Sequence, residues 1–118
     1  MRSTRHCLLA LTLALAASPA AAQDEGAEDA AFDDALQDFG YAGGAAWQCA
    51  EDAGKAEIVE NAMHVYNRLA QLFGTDRAFL FSAAFGAGTV DEIDTADCGR
   101  FASEFAEGVA QGGTEGAQ

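Results

Sequence analysis

Apolar residues recur at helical spacing through the middle of the chain. Over residues 55–73 they follow one another every three or four positions, and the polar residues form a narrow stripe. An apolar face that wide has to be covered from more than one side, so the pattern predicts a helix packed between neighbours. Gly74 suits the end of this helix, and Thr75 suits the N-cap of the next one.

A shorter helix is predicted ahead of this segment. Residues 30–39 place their large apolar side chains on one face and their aspartates on the other. Gly40 is expected to end that helix. The glycine-interrupted stretch 41–54 is predicted to be a loop that enters a short helix over 45–53.

Two further helices are predicted behind the central one. Residues 76–85 continue the helical pattern, and the Gly-Ala-Gly sequence at 86–88 is expected to break it. Thr89 and Glu92 match a capping box that would begin a single turn or the last helix. Residues 95–110 again carry one apolar face. The sequence therefore predicts an all-α fold, a compact bundle of four to five short helices.

The first residues show the pattern of a cleavable signal peptide. Arg2 and Arg5 precede an apolar run over residues 8–17, and Pro19 is followed by small residues. A membrane span needs roughly 20 apolar residues, so the run is too short to be an anchor. We expect residues 1–22 to be removed by cleavage after Ala22.

The chain that remains after cleavage is predicted to have three parts. Residues 23–29 are acidic and without large apolar groups, so we expect a flexible N-terminal segment. Residues 30–110 form the helical domain, and residues 111–118 form a flexible tail. The predicted location is periplasmic or secreted.

Cysteine usage agrees with export. Cys7 leaves with the signal peptide, so the mature chain keeps Cys49 and Cys98. An even pair in an oxidising compartment favours a disulfide, which would close the bundle and stabilise it by ~4 kcal/mol through lost chain entropy. A reactive thiol or a metal ligand is the alternative.

Aromatic side chains are expected to supply most of the core, because a domain of this size buries a limited interior. The main core aromatic residues that we predict are Trp47, Tyr66, Phe73, Phe79, Phe101 and Phe105, and further contributions come from Phe32, Phe39 and Phe85.

The charge balance excludes several partners. The whole chain has a formal net charge of −13, and removal of two arginines leaves nineteen acidic against four basic residues, a net charge of −15. Such a field repels phosphate backbones and anionic lipids, so we expect no nucleic-acid binding and no membrane insertion after cleavage. Solubility is the simplest role of the charge, and cationic partners would also suit it.

One group of side chains has metal-ligand character. Glu57, Glu60 and His64 share a helix face at spacings of three and four, which makes them weak candidates for a metal site. As helical neighbours, Glu60 and His64 more simply form a solvated pair. Asp91, Asp94 and Asp97 repeat every three residues near the start of the last predicted helix. Their spacing does not match the EF-hand loop, and weak Ca²⁺ association is the alternative.

Catalytic motifs are missing from the sequence. No nucleophile elbow or haem-attachment motif is present, and neither Ser82 nor Ser103 lies near His64 in sequence. We therefore predict a protein that is not an enzyme and that needs no cofactor.

A tryptophan two residues before a cysteine, Trp47 and Cys49, is followed by the acidic pair 51–52 and by Cys98. This arrangement resembles the HdeA-type periplasmic acid-stress chaperones. The resemblance spans residues 47–98 and implies a small exported helical protein with one disulfide, which dimerises and exposes apolar surface to unfolding clients at low pH. The chain departs from that family in its single lysine and in the absence of proline after residue 19.

The sequence supports three functional hypotheses. The first is a non-enzymatic exported interaction protein with an unidentified protein partner; a stress-chaperone-like module is one form of this hypothesis, and a homodimer is compatible with it. The second is an inhibitor, immunity or accessory protein that binds a basic surface of an exported enzyme or secretion complex. The third is a weak divalent-cation-binding module.

Overall fold

The computed structural model describes the backbone of residues 8–116 and the side chains of residues 26–112. This part of the chain contains four helices and no strand: α1 (Leu8–Cys49), α2 (Asp52–Phe73), α3 (Thr75–Val90) and α4 (Cys98–Gly116), with a 3-10 turn at Thr95–Asp97 before α4. The predicted all-α class is confirmed. The predicted helix over residues 55–73 corresponds to α2, which begins three residues earlier.

The chain divides into two compact units, residues 1–32 and 33–118. The first unit holds the predicted signal peptide; residues 1–7 lie outside the described residues, and residues 8–22 are helical. Cleavage after Ala22 stays a prediction. The segments predicted to be flexible, 23–29 and 111–118, contribute residues to α1 and α4, and their flexibility also stays a prediction. The second unit contains every feature described below.

Glycines that were expected to end helices instead bring two helices into contact. Gly40 does not end α1, which continues to Cys49, and α3 passes through residues 86–88 without a break. A Cβ built on Gly44 would overlap the carbonyl oxygen of Phe85, and one built on Gly88 would overlap that of Tyr41. The backbones of α1 and α3 therefore touch where only glycine leaves room.

The helix boundaries correct three predictions. The predicted loop at 41–54 is mostly helix, because only Ala50 and Glu51 separate α1 from α2. Thr75 is the first residue of α3 and makes no side-chain cap, and Gly74, with φ +97°, stands between the two helices. Thr89 lies inside α3, where its hydroxyl donates to the carbonyl of Gly86 at 2.6 Å.

The start of the last helical segment is capped by a different residue from the one predicted. The carboxylate of Asp94 accepts a hydrogen bond from the backbone N–H of Ala96 at 2.9 Å. This bond is an N-cap for the 3-10 turn, which then leads into α4.

Four phenylalanines from α1, α3 and α4 form an aromatic cluster inside the second unit. The ring centroid of Phe39 lies 5.2 Å from that of Phe81 and 5.3 Å from that of Phe105. Phe85 lies 6.4 Å from Phe81 and 6.3 Å from Phe105. Such tilted pairs are favourable beyond the area that they bury. Phe81 is 1 % exposed and is the largest fully buried side chain among the described residues.

The predicted aromatic core needs correction. Phe101 and Phe105 are buried, and Phe101 packs with the small residues Ala42, Ala45 and Ala46 of α1. Trp47 is only half-buried. Three of the predicted core residues are exposed on α2 and α3 rather than buried: Tyr66, Phe73 and Phe79.

A disulfide and two polar side chains hold the end of α1. Cys49 and Cys98 form the predicted disulfide, with their Cα atoms 5.8 Å apart, and join α1 to the first residue of α4. The ammonium of Lys55 donates to three carbonyls at this end, at 2.6, 2.8 and 3.3 Å, and lies 4.5 Å from the centroid of the Trp47 ring. The side-chain amide of Gln48 donates to two carbonyls at the end of α3, both at 2.7 Å. Carbonyls that a helix end leaves without partners are thereby satisfied.

Candidate functional site

An open apolar groove lies between α2 and α3, with a volume of about 400 Å³. On α2 it is lined by Val59, Ala62, Met63, Tyr66 and Asn67. On α3 it is lined by the buried Phe81, the half-buried Phe85 and the exposed Ser82. No charged side chain of the described residues lines this surface, which we name the α2–α3 groove.

The groove exists because α2 has a wider apolar face than its neighbours cover. Ala62 and Leu69 are buried, whereas Met63 is 62 % exposed and Val59 is 41 % exposed. The sequence pattern showed the width of this face and predicted that it would be covered. The structure leaves its edge open, so apolar side chains of α2 remain accessible to solvent.

Other large apolar side chains are exposed on the same two helices. Leu72 and Phe73 end α2, Phe79 lies on the first half of α3, and Val90 ends α3. Among them Phe79 is 69 % exposed and Val90 is 80 % exposed. Apolar exposure on α2 and α3 is therefore broader than the groove itself.

Three of the basic side chains among the described residues are engaged by the protein's own groups. Lys55 binds backbone carbonyls, and Arg77 pairs with Asp33 at 3.1 Å. Arg100 pairs with Asp97 at 3.7 Å and with Glu104 at 3.2 Å. The chain as a whole carries nineteen acidic against six basic residues, a large excess of negative charge.

The predicted metal-ligand candidates do not form a site. Glu57, Glu60 and His64 are all exposed on α2. Within the described residues no group of three or more histidine, cysteine, aspartate or glutamate side chains could hold a metal ion. His64 lines a separate cleft between α2 and α4, to which neither glutamate contributes.

The three aspartates considered for Ca²⁺ have separate structural partners. Asp94 caps the 3-10 turn, and Asp97 pairs with Arg100. Asp91 interacts with the hydroxyl of Tyr41. Burial raises the pKa of Tyr41, and the hydrogen bond to the Asp91 carboxylate and the negative charge of that group raise it further.

In the part of the chain that is described, no helix has an apolar stretch of the length that a bilayer crossing requires.

Comparison of the chain with protein-family models, with characterised proteins and with solved structures finds no match.

Proposed function

We propose that this protein is a non-enzymatic, exported interaction protein that binds an apolar, positively charged segment of another polypeptide in the α2–α3 groove. The groove carries the proposal: it is open, about 400 Å³ in volume, and lined mainly by apolar side chains. A cavity of this size accepts a few apolar side chains of a partner. Met63, which is flexible and polarisable, suits partners of varied shape.

Charge defines the rest of the partner. A net charge of −15 after cleavage attracts lysine and arginine residues that flank an apolar segment, and it accelerates their encounter. The same charge opposes pairing of two copies at neutral pH, because both surfaces are negative. A basic amphipathic segment is therefore a better occupant than a second copy of this chain.

The predicted signal peptide and the disulfide support a periplasmic or secreted location. The resemblance to HdeA-type chaperones supports a role in binding unfolding clients. Chaperones of that type expose apolar surface when acid loosens them, whereas this groove is open in the folded protein. We therefore expect binding at neutral pH without prior unfolding.

The test uses two amphipathic peptides of identical apolar spacing, one flanked by lysines and the other by glutamates. Calorimetry at pH 7 should show that the lysine peptide binds at least about tenfold more tightly. Raising the ionic strength from about 0.01 to about 0.1 M shortens the screening length from about 30 to about 10 Å and should weaken that binding.

Two substitutions at exposed apolar positions locate the binding surface. Met63→Ser changes the groove and should weaken binding of the lysine peptide, whereas Val90→Ser, outside the groove, should not. Equal affinity for both peptides, or equal effects of both substitutions, would contradict the proposal. Protection of an unrelated unfolding client against aggregation would favour the chaperone role over a dedicated partner.

A further inference from the structure

A second cleft, of about 460 Å³, lies between α2 and α4 and shares only Asn67 with the α2–α3 groove. Its polar lining side chains are three amides, an imidazole and a guanidinium: Asn61, Asn67, Gln71, His64 and Arg68. We name it the α2–α4 cleft.

The α2–α4 cleft is lined by hydrogen-bond donors. Every one of its five polar side chains can donate a hydrogen bond. Among the side chains of residues 26–112, no carboxylate lines it. Asn61, His64, Arg68 and Gln71 follow one another at spacings of three and four, so α2 places them along one stripe.

Arg68 differs from the other cationic side chains that the structure describes. Lys55, Arg77 and Arg100 bind carbonyls or carboxylates, whereas the half-buried Arg68 has no ion pair or hydrogen bond among the described residues. A guanidinium presents its donors in a fixed fork that matches a carboxylate. An unpaired arginine in a donor-lined cleft has the chemistry of an anion site.

We propose that the α2–α4 cleft binds the terminal carboxylate of an amino acid or peptide. The guanidinium of Arg68 binds the carboxylate, and the amides of Asn61 and Gln71 bind the adjoining amide or ammonium group. Val65 and Val109, which also line the cleft, contact the apolar part of the ligand. His64 adds a donor to the carboxylate.

The overall charge narrows the class of ligand. The net negative charge, −13 for the whole chain, raises the free energy of any bound anion, and the rise is larger for each further negative charge on the anion. Phosphates and di- or tricarboxylates are therefore disfavoured. A ligand with a single carboxylate joined to a polar or cationic group loses the least binding free energy in this field. A peptide terminus or a zwitterionic amino acid therefore fits best.

The test is an NMR titration of the complete, oxidised protein with N-acetylalanine. Its neutral counterpart N-acetylalaninamide is the matched control, and inorganic phosphate and free alanine are further arms. N-acetylalanine should shift the backbone amide signals of residues 61–71 and 109–112. The neutral amide should bind at least about tenfold more weakly, because it lacks the charge that the guanidinium recognises. Tighter binding of alanine than of N-acetylalanine would identify the free amino acid as the ligand and support the same site.

Two variants examine the cleft itself. Asn61→Asp places a carboxylate in the cleft with almost no change of volume and should abolish binding. Arg68→Gln should weaken binding at least about tenfold, whereas Arg100→Gln, which removes an arginine outside the cleft, should leave it within about twofold. Thermal unfolding of each variant shows that it folds.

Three results would overturn the proposal. The first is an equal response to N-acetylalanine and to its amide. The second is tighter binding of phosphate than of N-acetylalanine at the same residues. The third is unchanged binding in a folded Asn61→Asp protein.

Discussion

Two glycines in α3, only two residues apart, should respond in opposite directions to the same substitution. Apart from its chain neighbours and the backbone of its own helical turn, Gly86 has no atom within 4 Å of the position that a Cβ would occupy. At Gly88 a Cβ would overlap the carbonyl oxygen of Tyr41 and would lie 2.9 Å from the amide nitrogen of Ala45. Alanine at Gly86 should therefore stabilise the protein, and alanine at Gly88 should destabilise it.

The magnitudes follow from helix propensity and steric overlap. Replacing glycine by alanine inside a helix gains about 1 kcal/mol, because the unfolded chain loses conformational freedom. At Gly88 the methyl group meets backbone atoms, which cannot rotate away as a side chain would. Overpacking costs about 1–3 kcal/mol or more, and the upper end applies here. After the propensity gain, we expect Gly88→Ala to lower the free energy of unfolding by about 2 kcal/mol.

The measurement is thermal and urea unfolding of both variants, followed by circular dichroism with the disulfide intact. For a domain of this size 1 kcal/mol corresponds to about 4–8 °C in Tm. We expect Gly86→Ala to raise Tm by about 4–8 °C and Gly88→Ala to lower it by about 8–16 °C. Equal shifts of both variants, or stabilisation by Gly88→Ala, would refute the close contact of α1 and α3.

Three further predictions concern the disulfide, Lys55 and Tyr41. Replacing both Cys49 and Cys98 by serine should lower the free energy of unfolding by ~4 kcal/mol, as urea titration measures, because 49 positions separate them. Lys55→Met removes a charged donor from three carbonyls and should lower it by about 2 kcal/mol, seen as a lower Tm. The raised pKa of Tyr41 contributes stability below the unfolded pKa of about 10, and this contribution is lost as the pH rises through the folded pKa. Tyr41→Phe should accordingly lose less stability than the parent protein between pH 9 and 11 in urea titrations (about one pH step on either side of the unfolded pKa).

Features with a strong local signal could be predicted from the sequence. The apolar periodicity of residues 55–73 predicted α2, because apolar residues recur there every three or four positions, as one face of a helix requires. The even cysteine pair predicted the disulfide between Cys49 and Cys98. The absence of proline after residue 19 agreed with the all-α class.

Features that depend on tertiary contact could not be predicted in the same way. A glycine that ends a helix and a glycine that admits a neighbouring backbone look alike in one sequence, so Gly40 and Gly88 were assigned to breaks. The core residues were misassigned for a related reason. Phe79 and Phe81 stand two positions apart on α3 and face different sides, and only the position of α1 decides that Phe81 is buried and Phe79 exposed.

The residues of both proposed sites belong to patterns that the sequence shows, but the helices that pack beside them could not be predicted. Met63 belongs to an apolar face that the pattern predicted to be covered, and it remains 62 % exposed. Arg68 and His64 belong to the polar stripe of α2, which a single sequence does not distinguish from a solvated face. Only the neighbouring α4 turns that stripe into the wall of a cleft.

The small residues of α1 and the open groove have a common origin. Gly40, Gly44 and Gly88 let the backbones of α1 and α3 touch, so the interior at this crossing contains little side-chain volume. The large side chains of α2 and α3 cannot all enter so narrow an interior, and Met63 and Phe79 remain outside. Exposed apolar surface favours self-association, and the excess of carboxylates opposes it by keeping copies apart. In the function proposed above, the acidic charge would keep copies of the chain from covering the α2–α3 groove and would attract a segment of opposite charge.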